Sequence, residues 1–214
     1  MDKAKYIDHT NLKAFATTKD IIKLCSEANY YHFKSVCVNP ANVSLAHDLL
    51  RGSDVLVCTV IGFPLGANTS DVKTYETTRA IADGADEIDM VINIGKAKEG
   101  DWDYVRDDIK AVVDAANGCL VKVIIETCYL DENEIVNACK CAMDAKADYV
   151  KTSTGFGTDG AKASNVKLMK ETVEGKLKVK ASGGIKNKVQ FDEMISAGAD
   201  RIGCSSGVEI MEDK

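Results

Sequence analysis

Lys122, Lys151 and Lys180 lie within the short apolar stretches LVKVIIET, YVKTSTG and KVKASGG, where a lysine is costly. The β-branched residues around them mark strands of the kind that parallel sheets bury on both faces. A buried ammonium must be paired or shed its proton. Three such lysines on separate strands predict one polar pocket with several amines converging on it. A neutral amine held beside charged ones suits covalent attack on a carbonyl carbon.

Alternation along Tyr149–Thr154 places Lys151 and Ser153 on one face. The competing reading is an exposed lysine on an edge strand, which a closed barrel does not have. An ordinary lysine, with a pKa near 10.4, offers a free amine in roughly one molecule in two thousand at pH 7. Burial disfavours the ammonium. A second ammonium about 6 Å away adds roughly 2–3 kcal/mol of repulsion at an effective dielectric of about 20. Lys180, on the next strand and at a similar distance from the glycines that follow, is the candidate second ammonium. Lys178 shares its parity but falls at the strand entry and reads as solvated. Asp89, inside DEIDMV, needs a partner. It reads as an ion pair with Lys122 or as a proton shuttle at the reacting centre, and the two are compatible. Asp86 and Glu87 precede that strand and read as solvated. Glu126 ends the Lys122 strand and reads equally as structural or functional. His9, beside Asp8, reads as structural and near the mouth.

These residues need elements to hold them. Strand-like runs fall near Ser35–Asn39, Val55–Phe63, Glu87–Asn93, Leu120–Thr127, Tyr149–Thr154, Lys178–Ser182 and Arg201–Cys204. A short run at Tyr6–His9 makes an eighth. Amphipathic segments alternate with them: Thr18–Asn29, Asn42–Leu50, Asp71–Ala82, Trp102–Ala116, Asn133–Ala145, Ala163–Val173 and Val189–Ala197. The first of these has Thr17 or Thr18 as a capping residue ahead of Asp20. The βα units show no repeat in sequence. Eight of them predict a (β/α)8 TIM barrel, α/β in class, rather than an open doubly wound sheet. Closure would gather Asp8, Asn39, Asn93, Glu126, Ser153, Ser182 and Ser205 round one mouth. No dinucleotide-type G-x-G-x-x-G follows the first strand. Gly155 and Gly157, Gly183 and Gly184, and Ser205, Ser206 and Gly207 follow the last three strands. Glycines and helix starts there can cradle an anion, and barrels hold phosphate after strands seven and eight. The short remainder after Cys204 predicts an abbreviated last helix.

The 214 residues are expected to form a single domain over 1–214, since no Pro-, Gly- or Ser-rich linker appears. A net charge of -6 with signs interspersed argues against a nucleic-acid surface. No apolar run is long enough for a membrane, and the first residues lack the apolar core of a signal peptide. The eight cysteines therefore read as free thiols in a reducing, cytoplasmic setting, with Cys37, Cys58 and Cys204 as small strand hydrophobes. Cys139 and Cys141 have no second pair at zinc spacing, and no His/carboxylate set has metal spacing, so no metal is expected.

With these residues assembled, the chain resembles the deoxyribose-phosphate aldolase family. The matching segments are IDHTNLKAFAT, SVCVNP, VIGFPLG, ETTRAIADGADEIDMVIN, LVKVIIET, YVKTSTGFG, VKASGGIK and RIGCSSG, in order along nearly the whole chain. The resemblance implies a (β/α)8 barrel and a class I aldolase without metal or cofactor. It implies reversible cleavage of 2-deoxy-D-ribose 5-phosphate to D-glyceraldehyde 3-phosphate and acetaldehyde. It implies that Lys151 forms the imine, that Lys180 favours its free amine, and that Asp89 moves the proton with Lys180 and water. Lys122 and Asp8 complete the network, and Gly155, Gly183, Gly184, Gly203, Ser205 and Ser206 hold the substrate phosphate. A homodimer is a further expectation. Two departures stand out. Phe156 follows the imine strand's glycine where some members have lysine, which shifts phosphate binding toward backbone amides and Lys186. The chain also stops at Lys214, without the longer tail that carries a mobile tyrosine in some members, so slower proton transfer at the acetaldehyde carbon is expected. The nearest alternative is another imine-forming barrel aldolase with a different phosphosugar or keto acid.

Overall fold

The computed structural model describes residues 2–213. Met1 and Lys214, the two ends of the expected domain, lie outside the described residues. Strands and helices alternate as β1 (Ile7–Asn11), α1 (Thr18–Tyr31), β2 (Ser35–Val38), α2 (Val43–Leu49), β3 (Leu56–Ile61) and α3 (Ser70–Ala82). They continue as β4 (Glu87–Val91), α4 (Ile94–Glu99), α5 (Trp102–Ala116), β5 (Leu120–Ile124), α6 (Glu132–Asp144), β6 (Tyr149–Lys151) and α7 (Ala163–Val173). The series ends with β7 (Lys178–Ser182), α8 (Lys188–Ser196), β8 (Arg201–Cys204) and α9 (Gly207–Met211). The strands pair in parallel and in chain order, and β8 closes on β1, with Asp8 opposite Gly203. This is the expected (β/α)8 barrel.

Local chemistry sets the ends of the elements. Thr17 and Asp20 form a reciprocal capping box at α1, and Asp131 and Glu134 form another at α6. The expected α1 cap at Thr17 is thus in place. An Ala–Asp pair precedes each of β4, β6 and β8. The carboxylates of Asp86, Asp148 and Asp200 accept 2.8 Å bonds from the backbone N–H groups of Val57, Val121 and Val179 on the preceding strands. A short Ala–Asp repeat therefore marks alternate strands, although the βα units were expected to show none.

The main apolar core lies between the strands and the helices, drawing Val36, Ile88, Val123, Val150, Val179 and Ile202 against residues such as Ile21, Ile109 and Phe191. Inside the barrel the apolar filling is small: Leu12, Cys37, Cys58 and Val60, with Phe63 against them. Barrels are usually filled by branched apolar side chains. Here much of the remaining interior is charged. Among the described residues no helix is long and apolar enough to cross a membrane.

Several boundaries differ from expectation. Residues Lys3–Tyr6 form a 3-10 turn, so β1 starts at Ile7 and runs to Asn11. Asp8 is consequently deep in the barrel, not at a strand end. Pro40–Asn42 is a 3-10 turn before α2. Helix α4 was not anticipated. The last helix is short, as expected.

Candidate active site

The site begins with one carboxylate. Asp89, on β4, is fully buried and receives three lysines: Lys122 Nζ at 2.8 Å on Oδ1, and Lys151 and Lys180 Nζ at 2.7 Å each on Oδ2. Strand register explains the convergence, since Asp89 lies opposite Lys122 and Lys151 lies opposite Lys180. Below this layer, Asp8 joins Lys180 to Arg201 at 2.5 Å each, and Glu87 joins Lys122 at 2.7 Å to Arg201 at 3.1 Å. Ser35 Oγ also donates to Asp8 at 2.7 Å. Every one of these groups is buried.

Burial alone would favour neutral carboxyls, yet Lys122, Lys151 and Lys180 outweigh it and hold Asp89 well below the usual carboxylate range. Asp8 is likewise depressed against its burial by Lys180 and Arg201. Lys180 is raised despite burial, because Asp8 and Asp89 face it, so it stays an ammonium. Lys122 is raised in the same way by Asp89. With every group ionised, four cations (Lys122, Lys151, Lys180 and Arg201) face three carboxylates (Asp8, Glu87 and Asp89). One surplus proton sits in this enclosed cluster, and releasing it balances the charge.

Above Lys151 a cavity of about 430 Å³ opens at the C-terminal ends of the strands. Of the buried charged cluster, Lys151 alone lines it, with its side chain 4% exposed. The remaining wall includes Leu12, Gly155, Gly183, Gly184, Gly203 and Ser205, with exposed Lys13, Lys23 and Lys186 at the rim. Gly183 has φ +85°, and a Cβ built on Gly160 would stand 2.2 Å from its carbonyl oxygen. The loops after β6 and β7 therefore touch backbone to backbone.

The family model described as DeoC/LacD family aldolase matches residues 3–212. The chain belongs to the DeoC/LacD aldolase family. A deoxyribose-phosphate aldolase from Thermococcus gammatolerans is 58% identical, over 99% of this chain and 96% of that relative. Among solved structures, the aldolase QR15 superposes with a TM-score of 0.96 at 42% identity, covering 99% of this chain and 95% of its own. The tetrameric deoxyribose phosphate aldolase from Aeropyrum pernix superposes at 0.92 with 33% identity, covering 98% and 89%.

In this DeoC/LacD family member the residues singled out from sequence separate into layers. Lys151, Lys180, Asp89, Lys122 and Asp8 form one connected cluster. Gly155, Gly183, Gly184, Gly203 and Ser205 share the cavity with Lys151, whereas Ser206 stands outside its lining, directly before α9 and without a side-chain capping bond. Lys178 is exposed, as expected. Glu87 is not solvated: it opens β4 facing inward, and its pairing with Lys122 and Arg201 compensates its burial. Cys58 is more than a small hydrophobe, for its thiol donates to Asp89 Oδ1 at 3.1 Å. Glu126 accepts from the Thr154 backbone N–H at 3.1 Å and from its hydroxyl, and lies behind the end of β6. His9 is buried at the cavity edge with Nε2 2.8 Å from Glu27, and burial pushes its pKa down. Phe156 is 55% exposed and packs edge-on against Phe63, ring centroids 5.3 Å apart. Arg201 escaped the sequence reading, although a charged residue opening the apolar strand RIGC carries the same signal as the lysines.

Proposed function

We propose that this protein reversibly cleaves 2-deoxy-D-ribose 5-phosphate to D-glyceraldehyde 3-phosphate and acetaldehyde through an imine on Lys151. One observation carries the reading. Within a buried cluster holding one cation too many, Lys151 is the member that reaches the cavity. The free amine attacks the C1 aldehyde of the open-chain sugar, and loss of water leaves a protonated imine that draws electrons. The C2–C3 bond breaks as the C3 hydroxyl gives up its proton through water to the Asp89/Lys180 pair. Glyceraldehyde 3-phosphate leaves, the enamine is protonated, and water releases acetaldehyde. The phosphate rests on backbone N–H groups near Gly155, Gly183, Gly184, Gly203 and Ser205, with Ser206 heading the helix behind them and Lys186 at the rim. Lys122 and Asp8 hold Asp89 and Lys180 in place.

The eight cysteines are free and suit a cytoplasmic setting. Self-association belongs to the same reading: a homodimer is the expectation, and the Aeropyrum pernix relative is tetrameric. Borohydride reduction in the presence of deoxyribose 5-phosphate, followed by peptide mass mapping, tests the chemistry. A reduced two-carbon or sugar-phosphate adduct on Lys151 is expected. A folded sample that binds the sugar phosphate without trapping any adduct would overturn the reading.

A further inference from the structure

Cys37 and Cys58 face each other across β2 and β3 as register partners. Both are fully buried inside the barrel, and their sulfurs lie with an Asp89 carboxylate oxygen inside a 4.8 Å triangle. Lys122 Nζ stands 3.5 Å from the Cys58 sulfur. The pair is screened from the cavity by Leu12, which both lines the cavity and packs with the two cysteines, and is itself 8% exposed. Leu12 thus links the apolar cluster of the two thiols to the cavity that a small oxidant enters.

We propose that Cys37 and Cys58 are an oxidative modification site, a cross-strand dithiol that hydrogen peroxide converts to a disulfide beneath the active site. Directly opposed strand residues meet the Cα separation that a disulfide requires, roughly 4.4–6.8 Å. The roles of the two sulfurs differ. Cys58 gives its single S–H to Asp89, and burial pushes its pKa well up, so it is the poorer nucleophile of the two. Cys37 is therefore the attacking sulfur and Cys58 the resolving thiol. The Cys37 sulfur attacks one peroxide oxygen, breaking the O–O bond and giving a sulfenic acid and one water. The Cys58 sulfur then displaces the sulfenic oxygen as a second water, and the S–S bond forms. Two thiols are oxidised, the peroxide is reduced, and the protons leave in the two waters.

The disulfide also alters the site. Oxidised Cys58 has no S–H to give Asp89, so the carboxylate leans harder on its lysine donors, Lys151 among them. That keeps the Lys151 nitrogen bound to Asp89 and slows imine formation; this consequence rests on the function proposed above, whereas the disulfide itself does not.

The test treats the full-length protein with hydrogen peroxide, then maps non-reduced peptides and counts free thiols after unfolding. A Cys37–Cys58 peptide, a fall from eight free thiols to six, and at least a tenfold activity loss that dithiothreitol reverses are expected. Cys58→Ser should form no bridge and lose the reversible component. Thiol loss confined to other cysteines would overturn the site. A fully bridged protein with unaltered imine trapping and turnover would overturn the coupling to Asp89. Absence of imine trapping before oxidation would count against the proposed function alone, leaving the peptide map as the judge of the disulfide.

Discussion

Replacing Lys180 with methionine removes one ammonium and nothing else of similar length. Lys151 and Lys180 each sit 2.7 Å from the same Asp89 oxygen, so their nitrogens are at most about 5.4 Å apart, the sum of the two contacts. At roughly 5 Å and an effective dielectric of about 20, two unit charges repel by about 3 kcal/mol. Converted to a rate, that repulsion is a factor of roughly 100. Without it, attack by Lys151 at pH 7 slows roughly 100-fold. The cluster stays paired in the variant, because Asp8 keeps Arg201 and Ser35, and Asp89 keeps Lys122 and Lys151. The assay is kcat/KM for deoxyribose 5-phosphate from pH 6 to pH 10. kcat/KM should fall roughly 100-fold at pH 7, with part of the loss recovered at the alkaline end. A loss of equal size at every pH would show that Lys180 acts by position alone. Unaltered activity would remove it from the mechanism.

Lys151→Leu should keep the fold, by circular dichroism and thermal melting, and abolish turnover and borohydride trapping; retained turnover would end the imine assignment. Acid should destabilise the protein in two stages. Asp8, Asp89 and His9 all have folded pKa values below their unfolded ones, so the unfolded chain takes up protons first and stability falls with pH. The His9 contribution is lost below about pH 6.5 and the carboxylate contribution below about pH 4, readable as a stepped fall in Tm. Gly160→Ala forces a methyl against the Gly183 carbonyl. It should cost about 1–3 kcal/mol of stability by overpacking and raise KM more than it lowers kcat, since it disturbs the glycine wall rather than the amine.

The barrel was legible because its strands are short, β-branched and separated by amphipathic segments. The charged cluster was legible because lysine is out of place in such strands. What escaped the sequence has specific causes. Helix α4, IGKAKE, is a single short turn-and-a-half with one buried residue, Ala97, and so shows no apolar stripe. Glu87 and Arg201 stand at strand starts, where charged residues ordinarily meet solvent. Closure turns both into the barrel floor and pairs them. Asp8 was read as a strand end because β1 was drawn too early. The thiol bond of Cys58 to Asp89 depends on two neighbouring strands lying in register, which composition does not reveal.

The enclosure of the cluster has a consequence for ionic strength. At about 0.15 M salt the Debye length is about 8 Å, and mobile ions screen charges only where they can approach them. None can approach Asp89 or Lys180, both without solvent exposure. The rim lysines, Lys13, Lys23 and Lys186, stand in solvent and would feel added salt fully. Substrate capture should thus weaken in brine while the chemistry of the captured substrate continues unchanged, so that the protein carries its own unscreened electrolyte wherever it works.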